Sequence, residues 1–213
     1  DNKTGLTFVT ALRGTLRQDP DIMAIGEIRD AETAQIACRA ATSGVLVMST
    51  LHANNTAGAV DVLRGFGVSS AAVADCLRGV ISQRLVRKVC QESRQDIVAD
   101  DDARRLLRTT SPDPVHITTG IPTDQNFRTG YSGRTAVFEI MELTRSLQDA
   151  IHRGEASFQI RQQAINDGMV SLEDSTRRKV LDKVTSINEL RRVISDTEQS
   201  RSVRDTSADH THG

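Results

Sequence analysis

The chain has 213 residues, enough for about one to two domains, and 38% of them are hydrophobic, which supports a core and excludes a wholly disordered protein. Positive and negative side chains nearly cancel, 27 Lys and Arg against 28 Asp and Glu, and aromatic residues make up 3%, so neither the basic field nor the stacking rings of a nucleic-acid binder are present. No apolar run approaches the ~20 residues that a membrane-spanning helix requires.

The first ninety residues alternate helical stripes with short apolar runs, the pattern of a parallel sheet with crossover helices. Phe8, Leu12 and Leu16 mark a helix over Thr7 to Gln18, ended by Asp19-Pro20-Asp21. Ile22-Met23-Ala24-Ile25 reads as a strand buried on both faces and leads into Gly26-Glu27. Asp30 is placed to cap a helix carrying Ile36, Ala37, Ala40 and Ala41, with Gly44 as its stop. A second buried strand, Val45 to Met48, leads into Ser49-Thr50-Leu51-His52. Asn54 or Asn55 opens a helix through Val60 and Leu63 to Gly67, and Ser70 opens a longer one through Leu77, Val80 and Leu85 to Arg87-Lys88. Residues 91–129 lose this spacing and read as a linker or irregular loop, with Asp100-Asp101-Asp102 as a solvated run. Residues 130–196 form a small second module: a strand over Thr135 to Ile140, then helical pairs Leu147 with Ile151 and Ile160 with Ala164, and Ile187 with Leu190 and Ile194. The last stretch, 197–213, is nearly free of apolar residues and reads as a disordered tail.

Ligands of an open parallel sheet collect beyond the carboxyl ends of its strands, and two such ends are visible. One presents Glu27, Arg29 and Asp30; the other presents Ser49, Thr50 and His52. A carboxylate at a strand mouth can hold a metal-bound water, and a neighbouring Thr or His can donate to a phosphate. On residue types alone, a surface ion pair of Glu27 with Arg29 and a turn-capping His52 is the more economical reading, and Asp30 or Glu32 is an equal partner for Arg29. Cys38, Cys76 and Cys90 are scattered without CxxC spacing and read as buried thiols of a reducing compartment. His116, His152, His210 and His212 form no ligand pattern, and the glycines form no dinucleotide fingerprint.

The order of the motifs adds a further signal. The run Leu16-Arg17-Gln18-Asp19-Pro20-Asp21-Ile22-Met23-Ala24-Ile25-Gly26-Glu27-Ile28-Arg29-Asp30 resembles the Walker B region of the ATPases of type II secretion and type IV pilus assembly. Ser49-Thr50-Leu51-His52-Ala53-Asn54 resembles their His box, Ile81 to Cys90 the helix end that follows it, and Gly130-Tyr131-Ser132-Gly133-Arg134-Thr135 the start of their C-terminal subdomain. The resemblance runs from Thr4 to Ile194. It implies an α/β fold, a partial RecA-like P-loop NTPase core with a parallel sheet (residues 1–90) plus a small C-terminal α+β or helical subdomain. It implies ATP and Mg²⁺ as cofactors, with Glu27 as the Walker B glutamate that helps hold the metal and the attacking water. His52 would sense the γ-phosphate, and Arg29 and Thr50 would complete the nucleotide side of the site. It implies a hexamer of identical subunits, cytoplasmic and peripheral at the inner membrane, working with a platform or adaptor protein there and not directly with nucleic acid.

Two departures qualify the match. A Walker A loop reads G-x-x-x-x-G-K-[ST], and none of Lys3, Lys88, Lys179 and Lys183 follows a glycine. The chain, which opens at Asp1, is therefore expected to be the C-terminal piece of a longer ATPase and inactive alone. Type II members often carry a four-cysteine zinc site, but here Cys90 has Ser93 in the place of a CxxC partner, which leaves zinc unsupported. The competing reading is a non-catalytic interaction module that docks on a complete ATPase.

Overall fold

A computed structural model of the chain describes residues 7–205, with side chains through Thr197. The elements in chain order are α1 (Phe8–Leu16), β1 (Ile22–Ile25), α2 (Ala31–Thr42), β2 (Leu46–Ser49), α3 (Gly58–Gly65), α4 (Ser70–Cys76) and β3 (Gly79–Val89). They continue with β4 (Arg94–Val98), α5 (Asp101–Leu107), β5 (His116–Gly120), β6 (Tyr131–Glu142), α6 (Arg145–His152), α7 (Ser157–Asn166), α8 (Leu172–Leu181) and α9 (Ile187–Asp205). The chain divides into two units, neither of them a continuous stretch. One is built from the residues up to Val80 together with Ile140–Met169, the other from Ile81–Glu139 together with the residues from Val170 on. The borders expected at residues 90, 129 and 196 therefore differ from those drawn by the contacts.

In the first unit β1 and β2 pair in parallel, Ile22 opposite Leu46 through Ile25 opposite Ser49. Helix α2 is the crossover between them. Asp30 caps it by accepting from the Thr33 amide at 2.8 Å, and Gly44 leaves it at a φ of 105°, a region open to glycine at little cost. Met23 and Ile25 point into a core with Leu12, Ile36, Ala37, Val60, Leu63, Val73, Leu147, Ile151 and Ile160. The opposite strand face is not buried: Ile22 is 59% exposed, Leu46 49% and Met48 53%. The expectation of strands covered on both sides is thus met on one side, because the described helices of this unit pack into the core on the Met23 and Ile25 side. Arg64 of α3 donates to the Ile151 and Glu155 carbonyls, satisfying acceptors freed where α6 ends.

The helix expected from Ser70 to Lys88 is instead a short helix and a strand. Ser69 caps α4 through the Ala72 amide, and the backbone turns extended at Leu77. From Gly79 the burial alternates residue by residue, with Val80, Ser82, Arg84 and Val86 on the more buried side. Leu77, Val80 and Leu85 mimic a helical spacing, but the branched residues Val80, Ile81, Val86 and Val89 favour the strand, and β3 pairs with β6.

Residues 91–129, expected as a linker, carry β4, α5 and β5. Asp100 is the cap of α5, accepting from the Ala103 amide at 2.7 Å, and Asp101 and Asp102 stand in its first turn, where negative charge favours the helix. Strands β4 and β5 are antiparallel, with Arg94 opposite Gly120 and Val98 opposite His116. Their core, Ala99, Ala103, Leu107 and Ile117, is completed by Val180 and Leu190, so the apolar partners lie too far along the sequence for local spacing to reveal them. Helix α8 went unpredicted for a related reason: its buried face mixes Leu172 and Val180 with Thr176 and Arg177. Helix α9 runs on through residues 197–205, read as tail from their lack of apolar side chains; the stretch is rich in helix-forming residue types, and the Thr197 hydroxyl donates to the Val193 carbonyl. Residues 206–213 of that reading lie outside the described residues.

Candidate functional site at the ends of the two parallel strands

Both strands end in polar turns, and backbone bonds tie these turns together. The Ile28 amide donates to the Thr50 carbonyl at 2.9 Å, and the Thr50 hydroxyl donates to the Gly26 carbonyl at 2.8 Å. Neither bond is legible from residue types. Together they fix the backbone on either side of Glu27 against the segment that carries His52.

Glu27 lies between two cationic side chains, its own side chain only 19% exposed. Arg29 Nε donates to Oε2 at 2.6 Å, and the same guanidinium approaches that oxygen through Nη2. His52 Nε2 is 2.7 Å from Oε1, an ion-pair distance when the ring is protonated. The contact lacks hydrogen-bond alignment, so Oε1 is a buried acceptor that takes no hydrogen bond. The hydrogen bond from Arg29 holds the Glu27 carboxyl below the usual glutamate range; burial opposes this, and the charges of Arg29 and His52 reinforce it. The carboxylate is therefore ionised at neutral pH. Arg29 is held up in turn by Glu27.

The partner of Arg29 is thus Glu27. Asp30 is occupied by the Thr33 amide and hydroxyl, which keep it below its ordinary value, and Glu32 pairs with Arg13 at 2.8 Å. His52 is 92% exposed, and its ion-pair contact is with Glu27.

Magnesium in nucleotide sites is held by one or two carboxylates, with phosphate and water oxygens completing its shell. An ionised carboxylate whose Oε1 takes no aligned hydrogen bond and has the exposed His52 ring against it suits that single-ligand role, so Glu27 fits. Among the described residues no three His, Cys, Asp or Glu side chains gather as a metal cluster. His152 pairs with Asp75 at 3.1 Å, and the Cys90 thiol donates to Glu92 at 3.0 Å. Among the described residues no helix is long and apolar enough to cross a membrane.

The chain belongs to the type II/IV secretion system proteins, whose family model matches residues 1–192. Among the curated relatives, the type II secretion system ATPase E of Vibrio cholerae is 39% identical over 197 residues, 92% of this chain and 39% of that protein. The type IV pilus assembly ATPase PilB of Acinetobacter baylyi is 40% identical over 202 residues, 91% of this chain and 34% of that protein. The chain spans well under half the length of either. Among solved structures, the ATPase DotB of Legionella pneumophila matches with a TM-score of 0.63 at 18% identity, covering 89% of this chain and 42% of that one. That likeness is one of fold, and it agrees with the α/β architecture expected from the sequence.

Proposed function

We propose that this chain works within a hexameric ATPase that converts ATP hydrolysis into the motion driving type II protein secretion or type IV pilus assembly or retraction. The observation that carries the reading is the Glu27 carboxylate at the mouth of β1, ionised, with an oxygen that takes no aligned hydrogen bond and faces the exposed His52 ring. In this reading Glu27 holds Mg²⁺ and orients the attacking water. His52 contacts the γ-phosphate and responds when it leaves, and Arg29 and Thr50 complete the nucleotide side. The names of the relatives, secretion and pilus ATPases, support the same reading. The phosphate cradle comes from a Walker A loop outside this sequence, since no G-x-x-x-x-G-K-[ST] occurs in it. Partners are identical subunits and an inner-membrane platform or adaptor, and the site of action is the cytoplasmic side of that membrane.

The test is Glu27→Gln in the ATPase that contains this chain. Turnover is expected to fall by at least ~10²-fold, the scale of losing a group that acts on the reacting water, with nucleotide affinity nearly unchanged. Turnover within a few-fold of the parent would make Glu27 a structural ion-pair residue and favour the interaction-module reading.

A further inference from the structure

The ladder between β1 and β2 closes at the pair Ile25 and Ser49. Thr50, one residue further on, holds two groups of the turn beyond β1. Its hydroxyl donates to the Gly26 carbonyl at 2.8 Å, and its own carbonyl accepts from the Ile28 amide at 2.9 Å. Gly26 and Ile28 are the neighbours of Glu27 on either side, so a single residue of the second turn brackets the position that carries the carboxylate. The Ser49 hydroxyl donates to the same Thr50 carbonyl at 3.3 Å.

Both turns are also anchored by an apolar residue beside the polar one. Ile28, next to Glu27, is buried in the core of the first unit, and Leu51, next to His52, packs against that core. Glu27 Oε1 and His52 Nε2 lie 2.7 Å apart between these anchors. A threonine hydroxyl has one proton to donate. Here it is given to a backbone carbonyl at an ordinary hydrogen-bond length, and a phosphate oxygen, itself an acceptor, could receive it only after the bond to Gly26 had broken.

We infer that Thr50 is a positioning residue: it fastens the turn that carries Glu27 to the turn that carries His52, and it serves the nucleotide side of the site through Gly26 and Ile28 rather than by touching a phosphate. The inference rests on the function proposed above for Glu27 and His52. A carboxylate that orients a reacting water is sensitive to displacements of about 1 Å, so slack in its backbone lowers turnover without removing any contact to the nucleotide. Because both turns are tied through one residue, a shift of the His52 segment is passed to the backbone of Glu27.

The test follows hydrogen exchange at the Ile28 amide by NMR in the whole chain, for the parent, Thr50→Val and Thr50→Ser. The first variant keeps the branched shape and loses the hydroxyl; the second keeps the hydroxyl. Thr50→Val is expected to speed Ile28 exchange about five-fold, the worth of one hydrogen bond, with the Ile36 and Ala37 amides of α2 unchanged. Thr50→Ser is expected to stay near the parent rate. An Ile28 rate unmoved in Thr50→Val, an equal rise at Ile36 and Ala37, or exchange in Thr50→Ser as fast as in Thr50→Val would each overturn the inference. Thr50→Ala gives the same comparison should valine crowd the turn. In the ATPase that contains this chain, Thr50→Val is expected to lower kcat roughly ten-fold with KM for ATP within about two-fold, and Thr50→Ser to recover most of that loss. A raised KM at unchanged kcat would reveal a direct phosphate contact and overturn it as well. Failure of the wider reading looks different: Glu27→Gln then leaves turnover near the parent, while the exchange rates still decide whether Thr50 ties the turns.

Discussion

His52 and Glu189 show how burial decides what a charged side chain is for. His52 makes one ion-pair contact and is 92% exposed, so truncation removes no core packing. His52→Ala is therefore expected to leave folding stability within about 0.5 kcal/mol of the parent. On the proposed function, it should lower hydrolysis together with filament or secretion output in the full ATPase, while nucleotide affinity changes by less than ~1.4 kcal/mol, a factor of ten. Parallel loss of thermal stability and activity would instead mark a packing residue. Glu189 is the opposite case, a fully buried carboxylate on α9. It accepts from the Arg87 amide and guanidinium, each at 2.9 Å, and from Arg192 at 2.9 Å. Burial pushes its pKa up, but the bonds from Arg192 and Arg87 outweigh this and hold it below the ordinary value. A lowered folded pKa means that the stabilisation is complete above the unfolded value of ~4.3 and is lost as pH falls through the folded one. Glu189→Gln should cost about 3 kcal/mol at neutral pH and flatten the fall in the urea midpoint below that value; an unchanged midpoint at pH 7 would refute this. The positions of Glu27, Arg29, Thr50 and His52 beyond the strand ends are legible in the sequence because each follows a short apolar run. The sequence could not expose Glu189, since a buried charge inside a polar helical stretch looks like a solvated one until its partners on β3 are in place.

At the level of elements, the loop between β5 and β6 is organised by a single amide. Asn126 is almost fully buried. Its Oδ1 accepts from the amides of Thr123 at 2.9 Å, Thr129 at 3.2 Å and Gly130 at 3.1 Å. Its Nδ2 donates to the Ser93 hydroxyl at 2.9 Å and the Ile121 carbonyl at 2.8 Å. The turn is drawn so tight that a Cβ on Gly120 would overlap the Gly130 carbonyl oxygen. Asn126→Ala strands these backbone groups in a dry site and is expected to cost about 3 kcal/mol. Asn126→Asp keeps the acceptor but sets a buried carboxylate oxygen against the Ile121 carbonyl, and should be destabilising as well. Protease cleavage between Ile121 and Gly130 that is no faster in either variant than in the parent would show that the amide does not hold the loop. This is also why residues 91–129 were opaque from sequence. Their order rests on Asn126, on the Asp100 cap and on residues supplied by α8 and α9, whereas α1 to α3 each carry a local apolar stripe that announces them.

For the molecule as a whole, the two-stranded parallel sheet leaves one apolar face exposed. Among the described residues nothing covers Ile22, Leu46 and Met48, and a sheet of two strands offers unpaired edges. Exposed apolar strand faces and open edges recruit other chains. The chain is expected to self-associate as its concentration rises, and Leu46→Lys combined with Met48→Lys to shift it toward monomer by light scattering. A parent of constant monomer mass over the same range would contradict this. The discontinuity of the two units carries a different implication, for the order in which a ribosome delivers them. Leu147, Ile151 and Ile160, which close the core around Met23 and Ile25, are synthesised after all of β3, β4, β5 and β6, and Leu172, Val180 and Leu190, which close the cores of the second unit, come later still. A nascent chain that has reached Glu139 has both cores begun and neither finished, so these two units acquire their protection from proteases only after that point, in two closely spaced events.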